Sequence, residues 1–275
     1  MKNVMKKVMA CLLMAVMVVS VLGNGAQASA ASLTAKQYLA KMEKAYSKAK
    51  SFESTQTTTM VLSSMGQTAT TKQTTKMTTS TKMTTFKDPI KQKQVTTATQ
   101  TGQSSSKSVS YLKEDADGKI YMYSSTDGSE YEKLDVTELF ATVSGASSEL
   151  DVSLYSGAKI VKKTVKVGKV NTVKISASIS GKDMADAMEL LGFDEETTES
   201  LGVDFKKCKP MKVTVYIDKK TYRPVKMVMD QKNFVNSMMD SMGMGSLMKC
   251  EKATTTMTYK NFNKAKDFSL PAACK

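Results

Sequence analysis

Apolar and polar side chains alternate at a period of two along several segments of this 275-residue chain, and this pattern limits the fold more than any other feature. The alternation is clearest over Val173–Ile179 and Met211–Ile217, where lysine, serine, threonine or tyrosine separates the apolar residues. Such segments are typical of antiparallel strands with one buried and one solvated face. A parallel sheet would instead show solid apolar runs separated by helices.

Long threonine-rich strands are predicted between Thr55 and Thr101. This segment of 47 residues contains 18 Thr and has no Pro before Pro89. Thr is β-branched and suits a pleated surface, and Met77 and Met83 share one predicted face with the threonines between them. A glycosylated stalk is the competing interpretation, but such stalks are also rich in Pro. Strands are therefore favoured.

Amphipathic helices are predicted around these strands. Thr34 and Gln37 have the spacing of a capping box, and an apolar stripe follows them until about Ser51. Two further apolar stripes predict helices over Met184–Leu191 and Asn233–Met242. The helices would cover the apolar face of the sheet.

The predicted fold class is α+β and mainly antiparallel β. No linker is long enough to separate two domains, so residues 31–275 are expected to form one domain. An open sheet of about ten strands has to curl or split. We therefore expect a large curved sheet, a half-open barrel, with the N-terminal helix and helical lids on its concave face. A short acidic helix over Asp194–Leu201 is expected among them.

Residues 1–30 have the pattern of a secretory signal peptide. Three lysines precede the apolar run Val8–Leu22, and small residues follow it. Cleavage is expected after Ala28 or Ala30, which predicts an exported protein of the cell envelope or the extracellular space. An uncleaved anchor is the alternative, although this run is short for a spanning helix.

Three cysteines follow the predicted signal peptide, while Cys11 lies within it. Cys208 and Cys250 each begin a predicted strand, so a cross-strand disulfide between them is possible in an exported protein. The other pairings with Cys274 stay open, because sequence cannot choose between them. No CxxC motif and no second ligand type accompany these residues, so no metal site is predicted.

The composition excludes the commonest catalytic classes. The chain has no His, which removes Ser-His-Asp, Cys-His and HExxH chemistry. It also has no GxSxG motif and no P-loop. The segment Asp115–Gly118 resembles the start of a calcium loop, but the remaining acidic ligands are missing and a hairpin turn is favoured. We therefore predict no enzymatic activity, no catalytic residues and no cofactor.

The formal net charge is +14, with 40 basic and 26 acidic residues. Arg223 is the only arginine, whereas nucleic-acid readers rely on arginine forks. No nucleic-acid partner is therefore predicted. Lysines along strands fit a solvated face that also protects sheet edges. Weak electrostatic attraction to anionic polymers of the cell envelope is the functional alternative.

Four segments resemble a known superfamily. They are the helix Leu39–Ser51 followed by a strand, the hairpin segment Gly118–Met122, the strand–turn–strand segment Val215–Val225, and the closing segment Tyr259–Pro271. On these segments the chain resembles the lipoprotein-carrier superfamily. More closely, it resembles a family of uncharacterised exported or lipid-anchored proteins of Gram-positive bacteria. The resemblance implies a half-barrel with a cavity for acyl chains.

Methionine motivates the functional hypothesis. The chain has 22 Met, and Met is frequent at adaptable binding surfaces. We expect an exported, non-enzymatic binding protein of the bacterial cell envelope that holds an apolar or amphipathic, lipid-like ligand in a Met-rich cavity. The predicted ligand-lining residues are Met77, Met83, Ile175, Val215, Met227, Met229, Met238, Met239 and Met242. The alternative is a structural or interaction protein of the cell wall or surface, in which these residues fill a core and no small ligand binds.

Overall fold

The computed structural model describes residues 33–65, 72–138, 140, 154–190 and 202–274. The predicted signal peptide, with Cys11 and the cleavage sites at Ala28 and Ala30, lies outside these residues, and so does the predicted acidic helix Asp194–Leu201. The helices are α1 (Ala35–Ser47), α2 (Gly181–Leu190) and α3 (Lys232–Ser241), with short 3-10 turns at Phe205–Lys207 and Ala272–Cys274. The strands are β1 (Ser51–Met65), β2 (Lys72–Lys87), β3 (Ile90–Gln100), β4 (Ser106–Glu114), β5 (Ile120–Ser125), β6 (Glu132–Asp135), β7 (Ser156–Val167), β8 (Val170–Ile179), β9 (Met211–Asp218), β10 (Pro224–Asp230) and β11 (Met248–Lys260).

All eleven strands belong to one antiparallel sheet with the order β6-β5-β4-β3-β2-β1-β11-β10-β9-β8-β7. The first and last strands pair at its centre, from Glu53–Lys260 to Ser64–Met248. Over the described residues β6 and β7 are the two edges, so the sheet is not closed. The predicted fold class, a large open antiparallel sheet with an N-terminal helix and further helices, is confirmed.

The two faces of the sheet differ in what packs on them. We call the face that carries α1, α2 and α3 the inner face and the opposite one the outer face. The alternation predicted over Val173–Ile179 and Met211–Ile217 is confirmed, because the apolar residues of both segments are buried on the inner face. The residues between them lie on the outer face, where lysines and threonines recur.

A main hydrophobic core lies between the three helices and the inner face of β8–β11. Its largest fully buried side chains are Phe234, Leu39, Met42, Ile175, Ile179, Met184, Met211, Ile217, Met227 and Met229. Aromatic rings close the core beside α1, where Tyr46 lies 5.1 Å from Phe52 between ring centroids. Burial of this apolar surface is the main favourable contribution to folding here.

Helix α1 begins at the predicted capping box. The Gln37 backbone N–H donates to Thr34 Oγ1 over 3.3 Å, and the Thr34 N–H donates to Gln37 Oε1 over 2.8 Å. The helix ends at Ser47, close to the predicted end at Ser51. At its C-terminus Lys87 Nζ of β2 donates to the Tyr46 carbonyl over 3.0 Å. A cation at this end also interacts favourably with the helix dipole.

The C-terminal tail packs on the outer face, which the sequence did not predict. Its Phe268 ring lies 6.0 Å from the ring of Tyr111 on β4, and Leu270 packs against the same small cluster. Cys274 is fully buried there beside Tyr123. The tail therefore covers part of the outer face of β3–β5.

Cys208 and Cys250 are free cysteines in this structure, and the possible disulfide between them stays a prediction. Cys208 follows the 3-10 turn before β9, and its Sγ donates to the Asp204 carbonyl over 3.5 Å. Cys250 lies on β11, and β10 separates β9 from β11. The two residues are therefore not on neighbouring strands. Cys274 is a third buried thiol.

Because the main core lies on one face of the sheet, Val→Ala should lower the free energy of unfolding by different amounts at a core position and at an exposed position. Val215 on β9 is 0% exposed, whereas Val161 on the edge strand β7 is 51% exposed. We expect Val215→Ala to lower the free energy of unfolding by about 2–3 kcal/mol, because it removes two buried methyl groups and leaves a cavity. Val161→Ala is the matched control and should change it by less than about 0.5 kcal/mol. Urea unfolding measures both, and equal losses would contradict the assignment of the faces.

Candidate functional site

The described residues contain neither a metal centre nor a spanning helix. No group of three or more His, Cys, Asp or Glu side chains among them could hold a metal ion. Within the same part of the chain, no helix is both long and apolar enough to cross a membrane.

The predicted ligand-lining residues lie in two environments. One set, from β8, β9, β10 and α3, is fully buried within the main core and consists of Ile175, Val215, Met227, Met229 and Met238. The Tyr155 hydroxyl donates to the Met227 sulfur over 3.7 Å inside this core. These side chains are packed against protein on all sides, as the filled-core alternative expects for this half of the sheet.

The second set lies beside or within a separate methionine cluster. The buried members of this cluster are Met60, Leu62, Met77, Val235, Met239, Cys250 and Ala253, with Met242, Met244 and Met248 partly buried against them. Met60 pairs with Met77 on β2 and with Ala253 on β11, so the cluster spans the centre of the sheet. Met83 is half-buried and lies three inner-face positions from Met77 along β2.

Helix α3 is fastened over this cluster by side-chain hydrogen bonds. Asn236 Nδ2 donates to the Cys250 carbonyl over 3.0 Å, and the Cys250 N–H donates to Asn236 Oδ1 over 2.9 Å. The Gln231 N–H at the start of the helix donates to the Ala253 carbonyl over 2.9 Å. The helix is therefore tied to β11 at two levels, and this fixes its methionines over the sheet.

The inner face of β2–β5 is uncharged and only partly buried. Strand register places Met83 beside Gln94, Gln92 beside Leu112, and Leu112 beside Met122. We call this surface the polar inner face, and its residues are Thr79, Thr81, Met83, Thr85, Gln92, Gln94, Thr96, Ala98, Ser108, Ser110, Leu112, Met122 and Ser124. Thr81 is buried, Ser108 is exposed and the others are half-buried.

Hydrogen bonds connect the polar inner face across strands. Thr81 Oγ1 of β2 and Thr96 Oγ1 of β3 lie 3.1 Å apart, and within β3 Gln94 Nε2 donates to Thr96 Oγ1 over 3.3 Å. Gln92 Nε2 contacts the Met83 sulfur at 2.7 Å and donates to Thr85 Oγ1 over 3.3 Å. These contacts hold hydroxyl and amide groups in fixed positions, and such groups can both donate and accept.

A second group of polar atoms lies deeper, at the centre of the sheet. Thr58 and Thr255 share a hydrogen bond of 3.0 Å, and Thr255 donates to Gln231 Oε1 over 3.0 Å. Gln231 Nε2 and Ser54 Oγ are buried and have no hydrogen-bond partner among the described residues. A buried polar atom without a partner costs about 1–3 kcal/mol, which makes both atoms candidates for contact with a polar ligand group.

The charged side chains at the ends of β2 and β4, beside the polar inner face, already contact other groups of the protein. Lys87 Nζ lies 4.5 Å from the Tyr46 ring centroid, in addition to its bond with the carbonyl of that residue. Glu114 Oε2 accepts from the Ile90 N–H over 2.9 Å. Burial, together with the neighbouring Tyr259, raises the pKa of Tyr46 well above its ordinary value, so the phenol stays neutral. The arrangement can bind through hydrogen bonds and apolar contact without an ionic bond.

Sequence reasoning missed the polar inner face, although a signal was present. Along β3 the alternation is between lysine and glutamine, as in Lys91, Gln92, Lys93 and Gln94. Neither residue type is apolar, so a search for apolar periodicity does not detect it. A search for charge periodicity would have separated the charged outer face from the uncharged inner face.

Burial predicts low reactivity of Cys250. Desolvation raises the pKa of its thiol to about 11, and only the thiolate is nucleophilic. In native protein at about pH 8 we expect alkylation of Cys250 to be slower than in urea-unfolded protein by about a hundredfold. Mass spectrometry of the labelled peptide measures the rate. Equal rates in native and unfolded protein would contradict the buried position.

The two hydrogen bonds between Asn236 and Cys250 are expected to hold α3 over the methionine cluster. Asn236→Ala removes both bonds to Cys250 and leaves a buried peptide group unpaired, which should cost about 2–3 kcal/mol. Asn233→Ala on the same helix is the control, because Asn233 is exposed. Hydrogen exchange should show faster exchange in α3 for the first variant alone. Unchanged protection in Asn236→Ala would show that these bonds do not hold the helix.

The chain is similar to solved structures at low sequence identity. It is 12% identical to the lipoprotein LppX of Mycobacterium tuberculosis, over 85% of this chain and 97% of that one, with a TM-score of 0.44. It is 13% identical to LprF of Mycobacterium bovis, over 87% and 96%, with a TM-score of 0.44. For the MucA/MucB complex of Pseudomonas aeruginosa the identity is 12%, over 80% and 56%, with a TM-score of 0.27.

A family match covers nearly the whole described chain. No curated protein is a significant match. Residues 34–275 match a family described as a family of unknown function, DUF6612. This span runs from the residue that caps α1, through every strand of the sheet, to the end of the C-terminal tail. The protein therefore belongs to this family of unknown function, DUF6612.

Proposed function

We propose that this protein is an exported, non-enzymatic binding protein of the cell envelope and that it holds an amphipathic, lipid-like ligand on its inner face. The polar part of the ligand lies on the polar inner face, and its apolar part lies against the methionine cluster. The observation that carries this proposal is an uncharged, half-buried sheet surface directly beside a cluster of methionines.

The polar inner face supports binding because it combines accessibility with fixed polar groups. Gln92, Gln94 and Thr96 are half-buried rather than sealed under a helix. A ligand that covers them exchanges water contacts for hydrogen bonds with these hydroxyls and amides. Because the strand residues that form this surface are uncharged, a headgroup that carries an unpaired charge would lose its hydration there without compensation.

The methionine cluster supports binding of an apolar tail. Met242, Met244 and Met248 are only partly buried. Met side chains are unbranched and polarizable, so they adapt to ligands of different shape. Of the residues expected to line a ligand cavity, Met77, Met83, Met239 and Met242 lie in or near this region, and the proposal assigns tail contact to them.

The alternative function, a structural or interaction protein with a filled core, is favoured by one observation. Met227, Met229 and Met238 are completely buried in the main core. On that account the whole inner face is structural, and the half-buried groups of β2–β5 contact only solvent. The two proposals differ in whether natively purified protein carries an organic ligand.

Compartment and the lack of catalysis are parts of the same proposal. The pattern of residues 1–30 supports export, and residues 31–275 would be the mature single domain. A chain without His lacks the usual general base at neutral pH. Binding without chemistry is therefore the proposed activity.

Two substitutions on β3 test the site. Thr96 lies on the inner face and Thr97, the next residue, lies on the outer face. We expect Thr96→Lys to weaken uptake of a fluorescent monoacylglycerol, whose headgroup is uncharged, by about tenfold or more, because it places an unpaired charge where the ligand would bury it. Thr97→Lys adds the same charge on the opposite face and should keep the affinity within about twofold.

Mass spectrometry of organic extracts from natively purified protein identifies what is bound. The proposal expects an amphipathic lipid in the native chain and less of it in Thr96→Lys than in Thr97→Lys. Clean protein that takes up no fluorescent monoacylglycerol would refute the proposal and favour the filled-core alternative. Equal uptake by the two variants would place the ligand elsewhere.

A further inference from the structure

The outer face carries a group of lysines on β7–β10 that the proposed function does not use. We call this group the basic outer patch, and its residues are Lys159, Lys162, Lys174, Lys212 and Lys226. They lie on four consecutive strands of the sheet. The main core is on the opposite side of the same strands.

Strand register sets three of these lysines in a row. Lys162 of β7 is beside Lys174 of β8, which is beside Tyr216 of β9, which is beside Lys226 of β10. Neighbouring strands are about 4.8 Å apart, so the row extends about 14 Å across the sheet. Lys174 Nζ and Lys226 Nζ each lie 5.8 Å from the centroid of the Tyr216 ring. The tyrosine therefore has an ammonium group on both sides.

Carboxylates on this half of the outer face do not neutralise the row. Asp218 accepts hydrogen bonds from the Lys220 N–H and the Thr221 hydroxyl in the β9–β10 turn. Asp230 accepts from the Lys232 N–H at the start of α3 and is the β10 neighbour of Lys212. In the described part of the chain, none of the five patch lysines forms an ion pair within 4.0 Å. The five lysines outnumber these two carboxylates, so the patch has a net positive charge.

The other half of the outer face provides an internal comparison. There the C-terminal tail covers part of the sheet, and Lys91 Nζ lies 2.7 Å from the Asp267 carboxylate of that tail. Lys93 Nζ lies 5.7 Å from the Tyr111 ring centroid, beside Phe268 of the tail. On this half a carboxylate of the protein pairs with a lysine, whereas among the described residues no carboxylate lies within 4.0 Å of a patch lysine.

Protection of the sheet edge explains only part of the patch. Lysines on an edge strand hinder pairing with another sheet, and this accounts for Lys159 and Lys162 on β7. It does not account for Lys174, Lys212 and Lys226, because β8, β9 and β10 each have a strand on both sides. The two interior lysines on either side of Tyr216, Lys174 and Lys226, favour an anionic partner instead.

We propose that the basic outer patch binds a linear polymer of phosphodiesters of the poly(glycerol phosphate) type. Lysine ammonium groups are compact charges that bind phosphate oxygens, and a row of them matches a chain of repeated phosphates. Tyr216 is the one aromatic ring in the row, which provides few surfaces for stacking of nucleic-acid bases. The inner face would remain available to its own ligand while the polymer is bound.

Two triple variants test the patch in the full-length protein. The patch variant is Lys162→Gln/Lys174→Gln/Lys226→Gln. The control is Lys76→Gln/Lys82→Gln/Lys107→Gln, which makes the same charge change at exposed positions on the outer face of β2–β4. Binding of deacylated poly(glycerol phosphate) is measured by calorimetry at two salt concentrations. The patch variant should bind about tenfold more weakly or worse, with a shallower salt dependence, and the control should stay within about twofold.

The remaining outcomes decide against the proposal. Equal weakening in both variants would mean that net charge alone attracts the polymer, and no weakening would mean that the patch is not the site. Equal or tighter binding of duplex DNA would replace the proposed partner with another polyanion. Uptake of the fluorescent monoacylglycerol is measured on the same variants and should not change, so a failure of the patch is separable from a failure of the inner-face site.

Discussion

The pairing of β1 with β11 is the contact on which the rest of the structure depends. It joins the two ends of the described chain at the centre of the sheet, from Glu53–Lys260 to Ser64–Met248. Each strand also pairs with its sequence neighbour, β1 with β2 and β11 with β10, so the contact unites two half-sheets that are otherwise built from local hairpins. Such a long-range contact orders a large loop and is slow to form. Without it the two half-sheets would not form one continuous inner face.

The two half-sheets solve the problem of burial differently. In β8–β11 most inner-face residues are apolar and three helices cover them, so hydrophobic burial stabilises this half directly. In β2–β5 the inner face has Thr, Gln and Ser, and side-chain hydrogen bonds join neighbouring strands there. The small apolar cluster of this half lies on the outer face, under the C-terminal tail. Side chains alternate between the faces in both halves, but the apolar clusters lie on the inner face of β8–β11 and on the outer face of β4 and β5.

Local pattern predicted the elements well and their partners poorly. The capping box at Thr34 and the alternation over Met211–Ile217 depend on neighbouring residues, and both are confirmed. The distance between Cys208 and Cys250 depends on the strand order, which alternation does not encode: Cys208 precedes β9, Cys250 lies on β11, and β10 runs between these strands. Met227 and Met83 look alike in sequence, yet one is sealed in the core and the other is half-buried. The difference depends on whether a helix covers the strand at that position.

The separation of the faces gives the two proposed binding surfaces independent chemistry. A side chain on a strand points to one face, so Thr96 and Thr97 face opposite environments although they are adjacent. The uncharged inner face favours a ligand that keeps few charges, because an unpaired ion would lose its hydration there. The lysines of the basic outer patch stay in water and attract anions over about one Debye length, 8–10 Å, at moderate salt. A sheet that put its lysines on both faces could perform neither task.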